Sequence, residues 1–133
     1  MSISVTSLIG GMIVLVGLVV AFASMPALLA RINPAGQQIP SSPSSIAAGA
    51  ELFQENCTVC HGVEGLGDGP NAANLRPPPA NLRIHVPLHS DRDLFGFISQ
   101  GVSGTAMPVF GQSLTREEIW HLVNYLRDKF GQP

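Results

Sequence analysis

The chain has 133 residues, 45% of them hydrophobic, and a formal net charge of −2. That length excludes a large multidomain enzyme. Seven Lys and Arg against nine Asp and Glu leave no basic stripe for phosphates, which argues against nucleic acid as a partner.

Only 12% of residues are charged, and none of them precedes Arg31. From Ile3 to Leu29 the chain is apolar or small. A helix of about 20 such residues crosses a hydrocarbon core of roughly 30 Å. Residues 1–32 are therefore read as an N-terminal transmembrane anchor. A cleaved signal peptide is the competing reading, with Ala21-Phe22-Ala23 as its processing site. Against it, the apolar run continues past that site and no Lys or Arg stands before the run. With Arg31 as the nearest charge, the positive-inside rule is almost silent on orientation. Ser7 and Gly11, and Gly17 and Ala21, place small residues four apart, a spacing that lets helices approach closely in lipid.

Residues 33–44 are rich in Pro, Ser and Gln and read as a linker with a reach of at most about 40 Å. Residues 45–133 form the second domain, with three predicted helices. The first runs from Ser45 to Asn56, with Gly49, Leu52, Phe53 and Cys57 on one period. The second starts at Ser90, with Asp93 in the capping-box position, and ends at Gly101. The third carries a capping box, Thr115 with Glu118, and a staple of Leu114 with Ile119. Its apolar stripe is Ile119, Leu122, Val123, Leu126 and Phe130, and Gly131 ends it. No strand alternation is present. Between the first and second helices, Gly62 to His89 reads as one long loop. Such a loop in a small domain implies that it wraps something, and three short helices make a thin core alone. Both point to a large non-protein group at the centre.

Cys57-Thr58-Val59-Cys60-His61 names that group. C-x-x-C-H is the attachment sequence of c-type haem: two thiols add to the porphyrin vinyl groups, and the adjacent imidazole becomes the proximal iron ligand. A thioredoxin-like reading needs a βαβ setting that the pattern lacks. A zinc site from Cys57, Cys60, His85 and His89 has a gap between its pairs about twice that of a zinc finger. For the second axial ligand, Met107 is the one Met beyond the apolar segment. It sits in a loop with Gly101 and Gly104 and is followed by Pro108. His85, His89 and His121 are the rivals, with His121 expected at the surface. No nucleophile–base pair stands out, and Glu117-Glu118 is explained by helix capping.

The order of these features resembles a class I c-type cytochrome across residues 45 to 131: helix, C-x-x-C-H, Gly- and Pro-rich loop, helix, Met loop, last helix. The resemblance implies an all-α domain of three main helices around one covalently attached haem c. It also implies a crossing of the first and last helices through Gly49, Phe53 and Tyr125, with Trp120 nearby. In that family a loop proline carbonyl accepts a bond from the proximal imidazole, which makes Pro77 and Pro78 candidates. Arg76 and Arg83 are candidates for the haem propionates. Gly67-Asp68-Gly69-Pro70 and Arg76-Pro77-Pro78-Pro79-Ala80-Asn81-Leu82 are similar to monohaem subunits of bacterial respiratory complexes, notably alternative complex III.

The function this implies is one-electron transfer, not catalysis, through a His/Met-ligated haem in a membrane-anchored subunit of a respiratory or photosynthetic quinol-oxidising complex. A tethered mobile carrier to a terminal oxidase and a haem-based gas sensor are the alternatives. The expected partners are the lipid bilayer, other subunits of the complex, and a redox partner that is a cytochrome, a cupredoxin or an oxidase. Haem attachment outside the bacterial cytoplasmic membrane implies a single-pass protein, N-terminus cytoplasmic and haem domain periplasmic. The stretch from Pro70 to Pro87, with Leu75, Leu82, Ile84 and Val86, is expected to be a docking surface, unless the domain's own core and haem consume those residues.

Overall fold

The computed structural model describes residues 37–131. The predicted anchor, 1–32, and the front of the predicted linker lie outside the described residues. Among the described residues no helix is long and apolar enough to cross a membrane.

The first helix, α1 (Pro43–Asn56), starts two residues before the apolar period indicated. Ser42 is extended, its side chain accepts from the Ser45 N–H at 3.1 Å, and Pro43 takes the first helical turn, where a missing N–H costs nothing. A short helix α2 (Thr58–His61) follows directly and carries the C-x-x-C-H motif. The predicted long loop is broken into pieces: a 3₁₀ turn at Ala72–Asn74, helix α3 (Leu82–His85) and a 3₁₀ turn at Val86–Leu88. Then come α4 (Asp91–Gln100), a 3₁₀ turn at Phe110–Gln112 and α5 (Arg116–Phe130). Both predicted capping boxes are present, Ser90 with Asp93 and Thr115 with Glu118. The described residues contain helices and turns and no strand, as the all-α reading required.

Helices α1 and α5 cross where α1 has no side chain. A Cβ on Gly49 would lie 2.1 Å from the His121 carbonyl oxygen, so only glycine lets the two backbones meet. Beside that contact Phe53 is 2% exposed, with its ring 5.3 Å from Tyr125 and 5.7 Å from Phe130. The stripe of α5 supplies the rest of the core, together with Leu94 and Ile98 of α4 and Val86. The implied Gly49–Phe53–Tyr125 crossing is therefore present. Trp120 finds its ring partner in α4: it lies 4.6 Å from Phe95, tilted by 32°.

Two further readings change. His121 is half-buried, with Nδ1 2.8 Å from the Ser45 hydroxyl. Asn124, buried within the apolar stripe, donates to the same hydroxyl at 2.8 Å and to the Ile39 carbonyl at 3.2 Å. Gln38 donates to Asp91 at 2.6 Å. The end of the predicted linker is thus strapped along α5 and does not swing free. The sequence signal was Asn124 itself, a polar side chain on a buried face that demands partners. The expected docking stretch is mostly exposed, but several of its apolar side chains are used by the domain itself. Val86 is in the core, Leu82 packs against it, and Leu75 turns inward, leaving Ile84 exposed.

Candidate haem site

Three segments build one crevice. Its walls include Cys57, Cys60 and His61 from the end of α1 and from α2. Leu75 and Pro77 to Ala80 come from the long connection, and Val102, Thr105 to Pro108 and Phe110 from the segment after α4. Separated by 46 positions in sequence (107 minus 61), His61 and Met107 share this crevice. The lining is mostly apolar side chain, which suits a flat hydrophobic ring system.

Backbone bonds hold the first wall. The connection folds back over α2, with Gly67 N–H donating to the His61 carbonyl at 2.9 Å and Gly69 N–H to Cys60 at 3.1 Å. A Cβ at Gly69 would lie 2.5 Å from the Thr58 oxygen, so the return path needs glycine. Leu82 N–H donates to Gly65 at 2.7 Å and sets the register of the proline run beneath His61.

That register decides the imidazole's partner. His61 Nδ1 lies 3.0 Å from the Ala80 carbonyl. A carbonyl only accepts, so Nδ1 carries the proton and Nε2 keeps a free lone pair. Pro77 and Pro78, the expected acceptors, line the crevice but do not take this bond. The acceptor is instead the first residue after the proline run. Desolvation lowers the His61 pKa, an effect the Ala80 bond partly offsets. The ring is therefore neutral, the form that binds a metal. Burial, with Cys60 beside it, pushes the Cys57 thiol up to about 12.

The second wall presents Met107. The Thr105 hydroxyl donates to the Val102 carbonyl at 2.8 Å and accepts from the Met107 N–H at 3.1 Å. Gly101 begins this loop at φ 69°. Thr105 was not singled out from the sequence; a Thr two residues before a candidate ligand was the available signal.

The remaining candidates lie elsewhere. Arg76 is exposed and is not part of the crevice lining. Its guanidinium donates to the Ala73 and Leu75 carbonyls at 3.1 and 2.7 Å, so it clasps its own loop and does not reach into the site. Arg83 pairs with the Glu64 carboxylate. His85 and His89 are absent from the lining and stack on each other, which separates them from the two cysteines. Among the described residues no group of three or more His, Cys, Asp or Glu is placed to hold a metal ion, which disposes of the four-ligand zinc reading.

Two thiols, a neutral imidazole with an open Nε2 and a thioether around one apolar crevice fit a covalently held porphyrin and its iron. The fold and this donor set define a small all-helical c-type cytochrome domain that carries haem c. Known proteins agree. Residues 44–126 match the family described as cytochrome c oxidase, cbb3-type, subunit III, and the chain belongs to that family.

Among curated relatives, the chain is 31% identical over 100 residues to a 1-butanol dehydrogenase (cytochrome c) of Thauera butanivorans, covering 73% of this chain and 13% of that one. It is 26% identical over 102 residues to the cytochrome c subunit of an alcohol dehydrogenase (quinone) of Gluconacetobacter polyoxogenes, covering 70% and 21%. A thiosulfate dehydrogenase of Stutzerimonas stutzeri is 27% identical over 107 residues, covering 70% and 33%. The chain thus spans between 13% and 33% of the length of these relatives. Among solved structures, a chain of the Kuenenia stuttgartiensis reducing HAO-like protein complex superposes with a TM-score of 0.63 at 30% identity, covering 70% of this chain and 47% of that one.

Proposed function

We propose that this protein is a membrane-anchored one-electron carrier whose haem iron is ligated by His61 and Met107. The observation that carries the reading is the convergence of His61 and Met107 on the crevice that holds both attachment cysteines. Haem c supplies a reversible one-electron couple. The chain's own groups do the rest. Cys57 and Cys60 tether, Ala80 orients the His61 ring and raises its basicity, and Thr105 holds the Met107 loop. His61 Nε2 and the Met107 thioether would hold the iron of the bound haem, which would leave no position for bond chemistry and would raise its potential.

The wider setting is part of the same proposal. The apolar run from Ile3 to Leu29 anchors the chain in the bacterial cytoplasmic membrane, N-terminus inside and haem domain on the periplasmic side. The chain is a subunit of a quinol-oxidising complex of the kind represented by alternative complex III, passing electrons to a cytochrome, a cupredoxin or an oxidase. A second reading is favoured by the relatives, which are dehydrogenases or their cytochrome c subunits. There the electrons come from a dehydrogenase partner.

Mild-detergent extraction, a native gel stained for haem and mass spectrometry of co-migrating subunits separate these readings. Quinol-oxidising subunits support the first and dehydrogenase subunits the second. A haem band running as a monomer at low salt, with no companions, overturns both in favour of a tethered shuttle.

A further inference from the structure

We propose that His85 and His89 form a second metal site, a surface chelate for one divalent transition-metal ion that favours Cu(II), separate from the haem crevice. The function above makes no use of either ring, and neither residue lines the crevice.

The backbone presents the two imidazoles together. Helix α3 (Leu82–His85) runs into the 3₁₀ turn Val86–Leu88, and His89 follows in extended conformation, so the two imidazoles flank the turn from either end. Their ring centroids are 6.3 Å apart and their planes are within 10° of parallel. A ligating nitrogen sits about 2.0–2.1 Å from such an ion, and the ring centre lies roughly 1.1 Å behind it. Two rings sharing one ion therefore have centroids no more than about 6.4 Å apart. The observed spacing meets that limit only with the two nitrogens nearly opposite across the ion; side by side they need centroids about 4.5 Å apart, which rotation of His85, an exposed residue, would bring about.

His89 and the turn before it are also held in place. The His89 ring meets Phe97 edge-on at 5.0 Å. Arg127 donates to the Val86 carbonyl at 2.7 Å and to the His89 carbonyl, which pins the turn between the two rings to α5. Little order is therefore lost at His89 when an ion joins it, and the exposed His85 supplies the adjustment. Of the nearby charges, Arg83 pairs with Glu64, Arg127 with Asp91 and Asp93 with the Ser90 cap, while Arg92 beside Asp93 is exposed. Two imidazoles and solvent water suit Cu(II), Ni(II) and Zn(II), with Cu(II) bound most tightly.

The test is calorimetric titration of the tag-free, haem-loaded full chain in detergent with Cu(II) and separately with Zn(II). The expected result is one equivalent of ion lost in the His85→Gln/His89→Gln double variant, with Cu(II) bound at least about tenfold more tightly than Zn(II) by the parent. His85→Gln alone leaves the Phe97 contact intact and should weaken Cu(II) binding by about tenfold or more. The haem absorption spectrum should be the same in all variants, which reports that they are folded. Equal Cu(II) stoichiometry and affinity in parent and double variant, or no binding by the parent at micromolar concentration, overturns the proposal.

Discussion

The α1–α5 crossing and the haem crevice are adjoining parts of one small domain, yet they are built on opposite plans. At the crossing, protein packs on protein. Gly49 admits a backbone, and Phe53, Leu122 and Val123 are each 2% exposed or less. At the crevice the walls are loop and turn: Val102, Met107 and Phe110 stand on the segment after α4, and Leu75 and Pro77 to Ala80 on the long connection. Short hydrogen-bonded turns and a proline run hold them in place of helix packing. The difference teaches where each half finds its stability. The crossing is held by packed side chains, whereas the crevice is shaped by the hydrogen bonds of its turns.

The severest test of that contrast is Gly49→Val. The crossing has no space for a side chain, so the cost should exceed about 3 kcal/mol, the upper range for overpacking, and leave little folded haem protein. Normal expression and an unchanged thermal midpoint would mean that the helices are not locked at Gly49.

Next is Phe53→Ala, which removes a buried ring and should cost roughly 3–5 kcal/mol by denaturant titration of the haem-loaded form. A double-mutant cycle with Tyr125 should return about 0.5–1.5 kcal/mol of coupling for rings 5.3 Å apart. Zero coupling would leave the ring contact without energetic weight.

Met107→Ala probes the other plan. It should lower the reduction potential by on the order of 0.1 V or more and admit carbon monoxide to the ferrous form, while disturbing the crossing little. An unchanged potential and ferric spectrum would remove Met107 as ligand.

The smallest effects lie at the caps. The Ser90 hydroxyl, then its N–H, holds the Asp93 carboxyl below its usual range, and the Thr115 N–H, then its hydroxyl, does the same for Glu118. A depressed folded-state pKa contributes stability above the unfolded value, 3.8 or 4.5, that is lost as pH falls through the lower folded value. Asp93→Asn with Glu118→Gln should therefore flatten the fall of the thermal midpoint at acid pH and leave the crevice unaffected. Thr115→Ala should cost about 1 kcal/mol at neutral pH. An acid limb identical to the parent's would show that the caps do not titrate as described.

Much of this molecule is written in short-range sequence signals. C-x-x-C-H names the cofactor because two thiols and an imidazole must lie within a few residues of one another to meet one porphyrin. The capping boxes and the apolar stripe of α5 are equally local, since each depends on spacings of three or four residues within one helix. The loop Met was legible from its turn residues and from being the one thioether outside the apolar segment.

Tertiary structure decided what depends on register between distant segments. Which carbonyl meets His61 follows from the bond between Leu82 and Gly65, so Ala80 takes the role expected of Pro77 or Pro78. Arg76 bonds to its own loop, Trp120 packs on Phe95, and Asn124 reaches back to Ser45 and Ile39. None of these choices changes a local period or motif. Each depends on which polar and aromatic groups are brought within bonding distance when α1, α4 and α5 pack, and a period read along one helix carries no information about its neighbours.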